Sequence, residues 1–408
     1  MSVVLPTFPW DSLASDKAVA ASHPDGIVDL SIGTPVDPVP DVVRIALNGP
    51  AAGEPGYPTT HGTSTLRAAV VGALARRFGV IVDPVDVLPT IGSKELVAWL
   101  PTLLGLGAGD LVVFPELAYP TYEIGARLAG ADWLRWDMVD VDGLGADGLA
   151  ADGLAAVGPR RVGLVWVNSP SNPTGRVLPA SQLRTVVAWA RERGAVVASD
   201  ECYLSLSDSV GSCAAGATQG ADGRSAGVAD GADGRSAGVA GGAVSILHPE
   251  VCGGSHEGLL AVHSMSKSSN LAGYRAGFVT GDPALIAALL GVRKHAGMIV
   301  PGPVQAAMAA AASDDAHVIA QARVYARRRA QLRAGLQAAG LQVEHSEAGL
   351  YVWATAGEDS RLTVRRLATQ GVLVAPGEFY GPAGARHVRV AVTASDERIA
   401  AAVRRLAT

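Results

Sequence analysis

The chain has 408 residues, is 49% hydrophobic and 17% charged, and carries a formal net charge of -5. A disordered chain would lack the apolar surface needed to offset its ordering entropy, so this composition belongs to a globular protein, of two or three domains at roughly 150 residues each. The charge balance gives no reason to expect nucleic acid or an anionic membrane as partner.

The first fifty or so residues lead into a stretch, from about Thr63 to Leu290, in which apolar runs of strand length alternate with amphipathic helical patterns. Thr63 to Phe78 reads as a helix, Asp86 to Leu88 as a strand, Ser93 to Leu104 as a helix, Leu111 to Phe114 as a strand and Tyr119 to Leu128 as a helix. Val162 to Val167 is the next strand, Ser181 to Arg193 a helix and Ala195 to Ser199 another buried strand. Such alternation implies an α/β fold, a largely parallel sheet covered by helices on both faces. After Asp282 the pattern turns helix-rich through about Gly340, followed by short strands near Tyr351 to Ala354, Val372 to Ala375 and His387 to Ala391, with a last helix from about Ser395. That change predicts a second, smaller α+β domain. The expected division is an N-terminal segment, 1–48, packing with the small domain, a large domain, 49–290, and a small C-terminal domain, 291–408.

Between Asp208 and Gly242 the chain is almost all Gly, Ala, Ser, Asp and Val, and Ala-Asp-Gly-Arg-Ser-Ala-Gly-Val-Ala occurs at 221–229 and again at 232–240. The segment has no large apolar residue to bury and reads as a flexible surface insertion, 208–242. Cys202, Cys213 and Cys252 form no C-x-x-C pair and give an odd count. Neither a disulfide framework nor a metal site is indicated, and a reducing cytoplasm fits. The N-terminus, with Pro6, Pro9 and Asp11, is unlike a secretory signal. The most continuous apolar stretch, Leu96 to Leu106, is too short to span a bilayer and is interrupted by Pro101, so no membrane partner is expected.

Chemistry concentrates at the ends of the predicted strands. Gly92-Ser93-Lys94 opens a helix, where free amides and the macrodipole attract a phosphate. Tyr119 offers a ring to stack on another. Asn168-Ser169-Pro170-Ser171-Asn172-Pro173-Thr174-Gly175 follows one strand, and Asp200-Glu201-Cys202-Tyr203 ends the next, at the edge where open α/β sheets hold their ligands. Ser264-Met265-Ser266-Lys267 sets a lysine among hydroxyls, with Arg275 eight positions on. Such a lysine can hold an aldehyde cofactor as a Schiff base while hydroxyls and an arginine grip its phosphate. Each motif alone has a plain structural reading, as a helix start, a rigid turn, a strand-end cap or a surface lysine. Their fixed order is what argues for a common site.

In that order, G-S-K, aromatic, N-x-x-x-N-P-T-G, D-x-x-Y, S-x-S-K and G-x-R, the chain resembles the fold-type I, aspartate-aminotransferase-like family of pyridoxal-phosphate enzymes over nearly its whole length. The resemblance implies pyridoxal 5'-phosphate as cofactor and Lys267 as the Schiff-base lysine, which also moves the α-proton. It gives Ser93, Lys94, Ser264, Ser266 and Arg275 to the phosphate, Asp200 to the pyridine nitrogen, Asn172 and Tyr203 to the phenolic oxygen, and Tyr119 to the ring face. Tyr57, in Glu54-Pro55-Gly56-Tyr57-Pro58, resembles the tyrosine that reaches the partner's phosphate across a homodimer with shared active sites. Arg389 matches the arginine that grips the substrate α-carboxylate, Asn168 an asparagine assisting there, and Gly33 a loop that closes over substrate.

The stretches Asp29 to Pro40, Val251 to His263 and Asn270 to Phe278 look like the actinobacterial succinyldiaminopimelate aminotransferases of lysine biosynthesis. That subgroup implies amino transfer between glutamate and N-succinyl-2-amino-6-oxopimelate, giving N-succinyl-LL-2,6-diaminopimelate and 2-oxoglutarate. Ser268 stands where a basic residue is expected. An aminotransferase for another amino acid, or a carbon–sulfur β-lyase on the same cradle, remains an alternative, since the bond aligned with the ring decides the reaction. A transcription regulator would need a helix-turn-helix domain for which the region before Asp29 leaves no room.

Overall fold

The structure, a computed structural model, describes residues 5–136, 160–207 and 242–407. In chain order its strands are β1 (Val28–Asp29), β2 (Val87–Ile91), β3 (Asp110–Pro115), β4 (Asp132–Trp136), β5 (Arg161–Asn168), β6 (Val196–Asp200), β7 (Leu259–Ser264), β8 (Ala276–Gly281), β9 (Gln342–Glu344), β10 (Tyr351–Thr355), β11 (Val372–Leu373), β12 (Ala375–Pro376) and β13 (Val388–Ala391). A seven-stranded sheet runs β2-β8-β7-β6-β5-β3-β4. Its strands are parallel except β8, which pairs antiparallel with both β2 and β7.

Alternation along these strands sends successive side chains to opposite faces. Leu111, Val113, Val165, Val197 and Ala261 join one core with helices Ser64–Phe78 and Ala180–Glu192. Val112, Phe114, Trp166, Ala198 and Val262 join the other, under helices Ser93–Leu103, Thr121–Ala129 and Pro283–Ala296. The helix starts follow capping chemistry: Thr63, Asp282 and Ser395 each accept a backbone N–H of the turn they open.

The second body is a four-stranded antiparallel sheet, β12-β13-β10-β9, packed with helices Asp315–Ala338, Ser360–Thr369 and Asp396–Leu406. The N-terminal segment adds to it: β1 pairs in parallel with β11, and Leu13, Ala20, Val28 and Leu30 lie in its core. Packing draws the boundaries elsewhere than at 48 and 290. Val43 on one side, and Val300 with helix Gly302–Ser313 on the other, are buried in the core of the large sheet, so the second body begins with helix Asp315–Ala338. The expected stretch Val372 to Ala375 is two strands in two sheets. The repeat-bearing insertion, apart from Gly242, lies outside the described residues. Among the described residues no helix is long and apolar enough to cross a membrane.

Candidate active site

The strand ends meet at one edge. Asn168 pairs with Asp200 and Asp200 with Val262, so β5 and β6 finish level and β7 runs two residues further, to Ser264. Because β8 runs the other way, its first residue, Ala276, lies beside Ile91 at the end of β2, and Gly277 beside Ser264. Arg275, Ser93 and Ser264, far apart in sequence, are thereby brought to one cavity of about 990 Å³ between the two bodies. Ser93, Lys94, Tyr119, Asn172, Asp200, Tyr203, Ser264, Ser266, Lys267, Arg275, Gly33 and Arg389, all singled out in the sequence, line it.

One corner is polar and cationic. Gly92 has φ 72 and ψ 160, a region open in practice to glycine alone, and a Cβ there would overlap the Arg275 guanidinium. Ser264 caps the short helix Met265–Ser268 by accepting the Ser266 N–H at 3.2 Å. Lys94 leans over the Phe8 ring, 5.8 Å from its centroid. Burial and the neighbouring Arg275 push its amine below the usual lysine range.

At the other end the Asp200 carboxylate is buried, accepting from Tyr122 Oη at 3.0 Å and from the Cys202 N–H at 3.3 Å. Burial raises its pKa and these donors oppose the rise, so a cation set against it would meet a poorly solvated partner. Tyr122 in turn stacks on Trp166 at 4.9 Å, and Tyr119 meets Tyr122 edge-on at 5.9 Å. Tyr203 Oη lies 3.3 Å from Tyr351 Oη. The Cys202 thiol donates to Ser93 Oγ at 3.1 Å, and burial raises it well above the usual thiol range.

Lys267 lies between the two ends. Its Nζ donates to the Gly33 carbonyl, a short contact that ties the N-terminal segment to the lysine. Burial lowers the amine to about 8; Cys202 opposes the fall, and Arg389 and Arg275 add to it. Arg389, only 3% exposed, projects from β13 and gives Nη1 to Asn172 Oδ1 at 2.9 Å and Nη2 to the Ser31 carbonyl at 2.8 Å. Its guanidinium lies 4.0 Å from the Tyr351 ring centroid and 4.8 Å from that of Tyr380, while Nε has no hydrogen-bond partner among the described residues.

Asn168 and Tyr57 are not among the residues that line the cavity. The Asn168 amide donates to the Asp200 carbonyl at 2.7 Å and its Oδ1 accepts the Asn172 N–H at 2.7 Å, so it shapes the turn, and Asn172 is the asparagine that bonds Arg389. Tyr57 is 99% exposed and lies outside the cavity of its own chain. Ser268 is buried and turns away from the cavity, into a small space behind the strand ends beside Glu201, His263 and Arg77.

Sequence reasoning missed Tyr122 and Tyr351. Tyr122, three positions after Tyr119, carried a weak signal, being on the same face of the helical pattern. Tyr351 carried none, since its place depends on how β10 of the second body meets the first. At the mouth it also missed Arg135, paired to Glu123 at 3.1 Å, and Arg361, paired to Glu378 at 2.6 Å, beside Phe8, Trp10 and Phe379.

A mostly parallel sheet with a lysine, an acid, a polar, cationic corner and a buried arginine at its carboxyl edge defines an α/β enzyme of fold type I. The family aminotransferase class I and II matches residues 25–406, and the chain belongs to it; these enzymes depend on pyridoxal phosphate. A probable aminotransferase of Mycobacterium tuberculosis is 56% identical over 407 residues, covering 100% of this chain and 86% of the relative. The 4-dedimethylamino-4-oxo-anhydrotetracycline transaminase OxyQ of Streptomyces rimosus is 53% identical, covering 98% of this chain and 99% of the relative. Among solved structures, a probable N-succinyldiaminopimelate aminotransferase from Thermus thermophilus superposes with a TM-score of 0.78 at 27% identity, covering 98% of this chain and 99% of that one.

Proposed function

We propose that this aminotransferase moves an amino group between glutamate and N-succinyl-2-amino-6-oxopimelate, in the diaminopimelate route to lysine, within the cytoplasm. The observation that carries the reading is the pairing of a buried Arg389, fit for an α-carboxylate, with a cavity of about 990 Å³ whose lining adds Lys94 and the ion-paired Arg135 and Arg361, side chains able to meet a second anionic group. The likeness to the Thermus thermophilus protein and the resemblance of residues 29–40, 251–263 and 270–278 support it. The likeness to the Streptomyces rimosus transaminase favours a second reading, amino transfer to a large cyclic ketone.

In this proposal the polar corner of Gly92, Ser93, Ser264, Ser266 and Arg275 holds the cofactor phosphate. Asp200 faces the ring nitrogen, supported by Tyr122, and Asn172 and Tyr203 face the phenolic oxygen. Tyr119 lies against the ring. Pyridoxal phosphate supplies an aldehyde that carries the amino group and a ring that accepts electron density. The chain supplies the rest. Arg389 and Asn172 orient the α-carboxylate, and Lys267 Nζ, lowered to about 8, is partly neutral near neutral pH and takes the α-proton. The closing contact of Gly33 and the aromatic residues Phe8 and Trp10 at the mouth exclude water.

The site is further proposed to be completed by a second copy. Tyr57 is 99% exposed, free to reach a neighbouring copy as the resemblance implies.

Borohydride reduction of the yellow protein should leave a pyridoxyl group on Lys267, and a label on another lysine would overturn the site. Amino transfer to 2-oxoglutarate should run with N-succinyl-diaminopimelate and not with diaminopimelate, N-acetylornithine or cystathionine. Activity confined to those three rejects the pathway, and activity only toward a cyclic amine selects the second reading.

A further inference from the structure

Helix Asp315–Ala338 carries a polar stripe in which His317, Gln321, Tyr325 and Arg328, spaced for one helix face, meet two segments distant in sequence. One is the segment just after Lys267: Ser269 Oγ lies 2.9 Å from His317 Nε2, Asn270 Nδ2 donates to Gln321 Oε1 at 3.0 Å, and Tyr325 Oη donates to Asn270 Oδ1 at 3.5 Å. The other is the N-terminal segment that carries Gly33: Gln321 Nε2 donates to Asp37 Oδ2 at 2.9 Å, and Arg328 holds both oxygens of Asp37 at 2.8 and 2.7 Å. Asn270 also donates to the Pro38 carbonyl at 3.1 Å.

His317 Nδ1 lies 3.0 Å from Asp314 Oδ2, so serine, histidine and aspartate stand in a row, but Ser269 is 2% exposed and no substrate reaches it as a nucleophile. The row braces the loop instead. Asn270 has φ 55, a left-handed conformation that asparagine tolerates better than most residues, held here by bonds from both sides of its amide.

Gln321 alone on this stripe binds both segments through its side chain, the Lys267 side through Oε1 and the Gly33 side through Nε2. We propose that Gln321 is a positioning residue that couples the N-terminal segment closing on substrate to the segment presenting Lys267. Its carboxamide fixes Asp37 and Asn270 relative to each other, and with them the Gly33 carbonyl relative to Lys267 Nζ. Its removal leaves Asp37 on Arg328 and Asn270 on Pro38 and Tyr325, so the fold keeps its other anchors, while the carboxamide link between Asp37 and Asn270 is lost and the Asn270–Pro38 bond alone joins the two segments directly.

The test is Gln321→Leu, with Gln321→Ala to separate the lost bonds from the shape of the replacement. In the cofactor-free protein, amide hydrogen exchange of residues 29–37 should quicken in both variants while exchange in β5, β6 and β7 is unchanged. In the loaded enzyme, whichever amino donor it uses, KM should rise roughly tenfold with kcat nearly unchanged, as expected when a buried bond that organises the binding segment is lost. Unchanged exchange at 29–37, exchange quickening equally in the sheet, or a fall in kcat at constant KM would each overturn the proposal. The exchange measurement needs no substrate, so its failure is distinct from a wrong assignment of the amino donor.

Discussion

Asp200 shows how a residue becomes functional through what surrounds it. Its carboxylate is buried against a cost that only hydrogen bonds and a facing cation offset, and Tyr122 supplies one of its donors. Tyr122→Phe removes that donor without changing the ring that stacks on Trp166. A hydrogen bond to a charged group is worth about 1.5–3 kcal/mol, so kcat/KM should fall roughly ten- to a hundredfold. Losing the donor lifts the Asp200 pKa further above its usual range, so the acid limb of kcat/KM should move to higher pH. A pH–rate profile with an unmoved acid limb would show that Tyr122 acts on packing alone. Asp200 was legible because an acid at a strand end sits in a short motif. Tyr122 and Tyr351 were not, because their hydroxyls acquire their partners, Asp200 and Tyr203, only when helix Thr121–Ala129 and strand β10 are folded against residues distant in sequence.

Among the elements, those with dense apolar patterns were readable and those that owe their existence to a neighbour were not. β5 and β6 are buried on both faces and so read as continuous apolar runs. β4, the edge strand Asp132–Trp136, mixes charge with aromatic residues because only part of it is covered, and β1 and β11 are two residues each, recognisable only as a pair. The turn from β2 into helix Ser93–Leu103 joins both kinds: G-S-K was visible, but not that Arg275 lies where a side chain at Gly92 would go. Gly92→Ala therefore meets two costs, a backbone conformation restricted to glycine and a collision with the guanidinium. Such strain costs of order 1–3 kcal/mol. Thermal denaturation should show the loss, and cofactor titration should show weaker pyridoxal-phosphate binding as Arg275 is displaced. Normal cofactor affinity would mean that Arg275 does not serve the phosphate corner.

For the whole molecule, two bodies were expected, and the N-terminal segment was expected to join the smaller one. Helix Gly302–Ser313 packs into the core of the large sheet, a choice that its nearly uniform alanine pattern does not specify. The seam between sequence-adjacent functions also hides a buried pair that stability should report. Glu201 and His263 follow Asp200 and precede Ser264, on the opposite face of the same strand ends, with Oε2 and Nε2 3.4 Å apart and His263 stacked on Phe278 at 4.7 Å. The charges that face them are Arg77, already held by Asp315, and Asp200. Burial pushes Glu201 up to about 7 and His263 down to about 3. The folded chain thus holds the Glu201 proton more tightly than the unfolded chain, and that contribution to stability, full at low pH, is lost as pH rises from the ordinary carboxyl range through about 7. It holds a proton on His263 less tightly, so that contribution is present above the ordinary imidazole range and is lost as pH falls toward about 3. Where the two windows overlap they oppose each other, giving a plateau in mildly acidic solution with a fall on either side. Glu201→Gln should flatten the fall on the neutral side, and His263→Phe the fall on the acid side, in urea unfolding followed across pH. If both variants keep the wild-type profile, the pH dependence originates in other groups, and the pair is a packing contact whose protons the fold does not control.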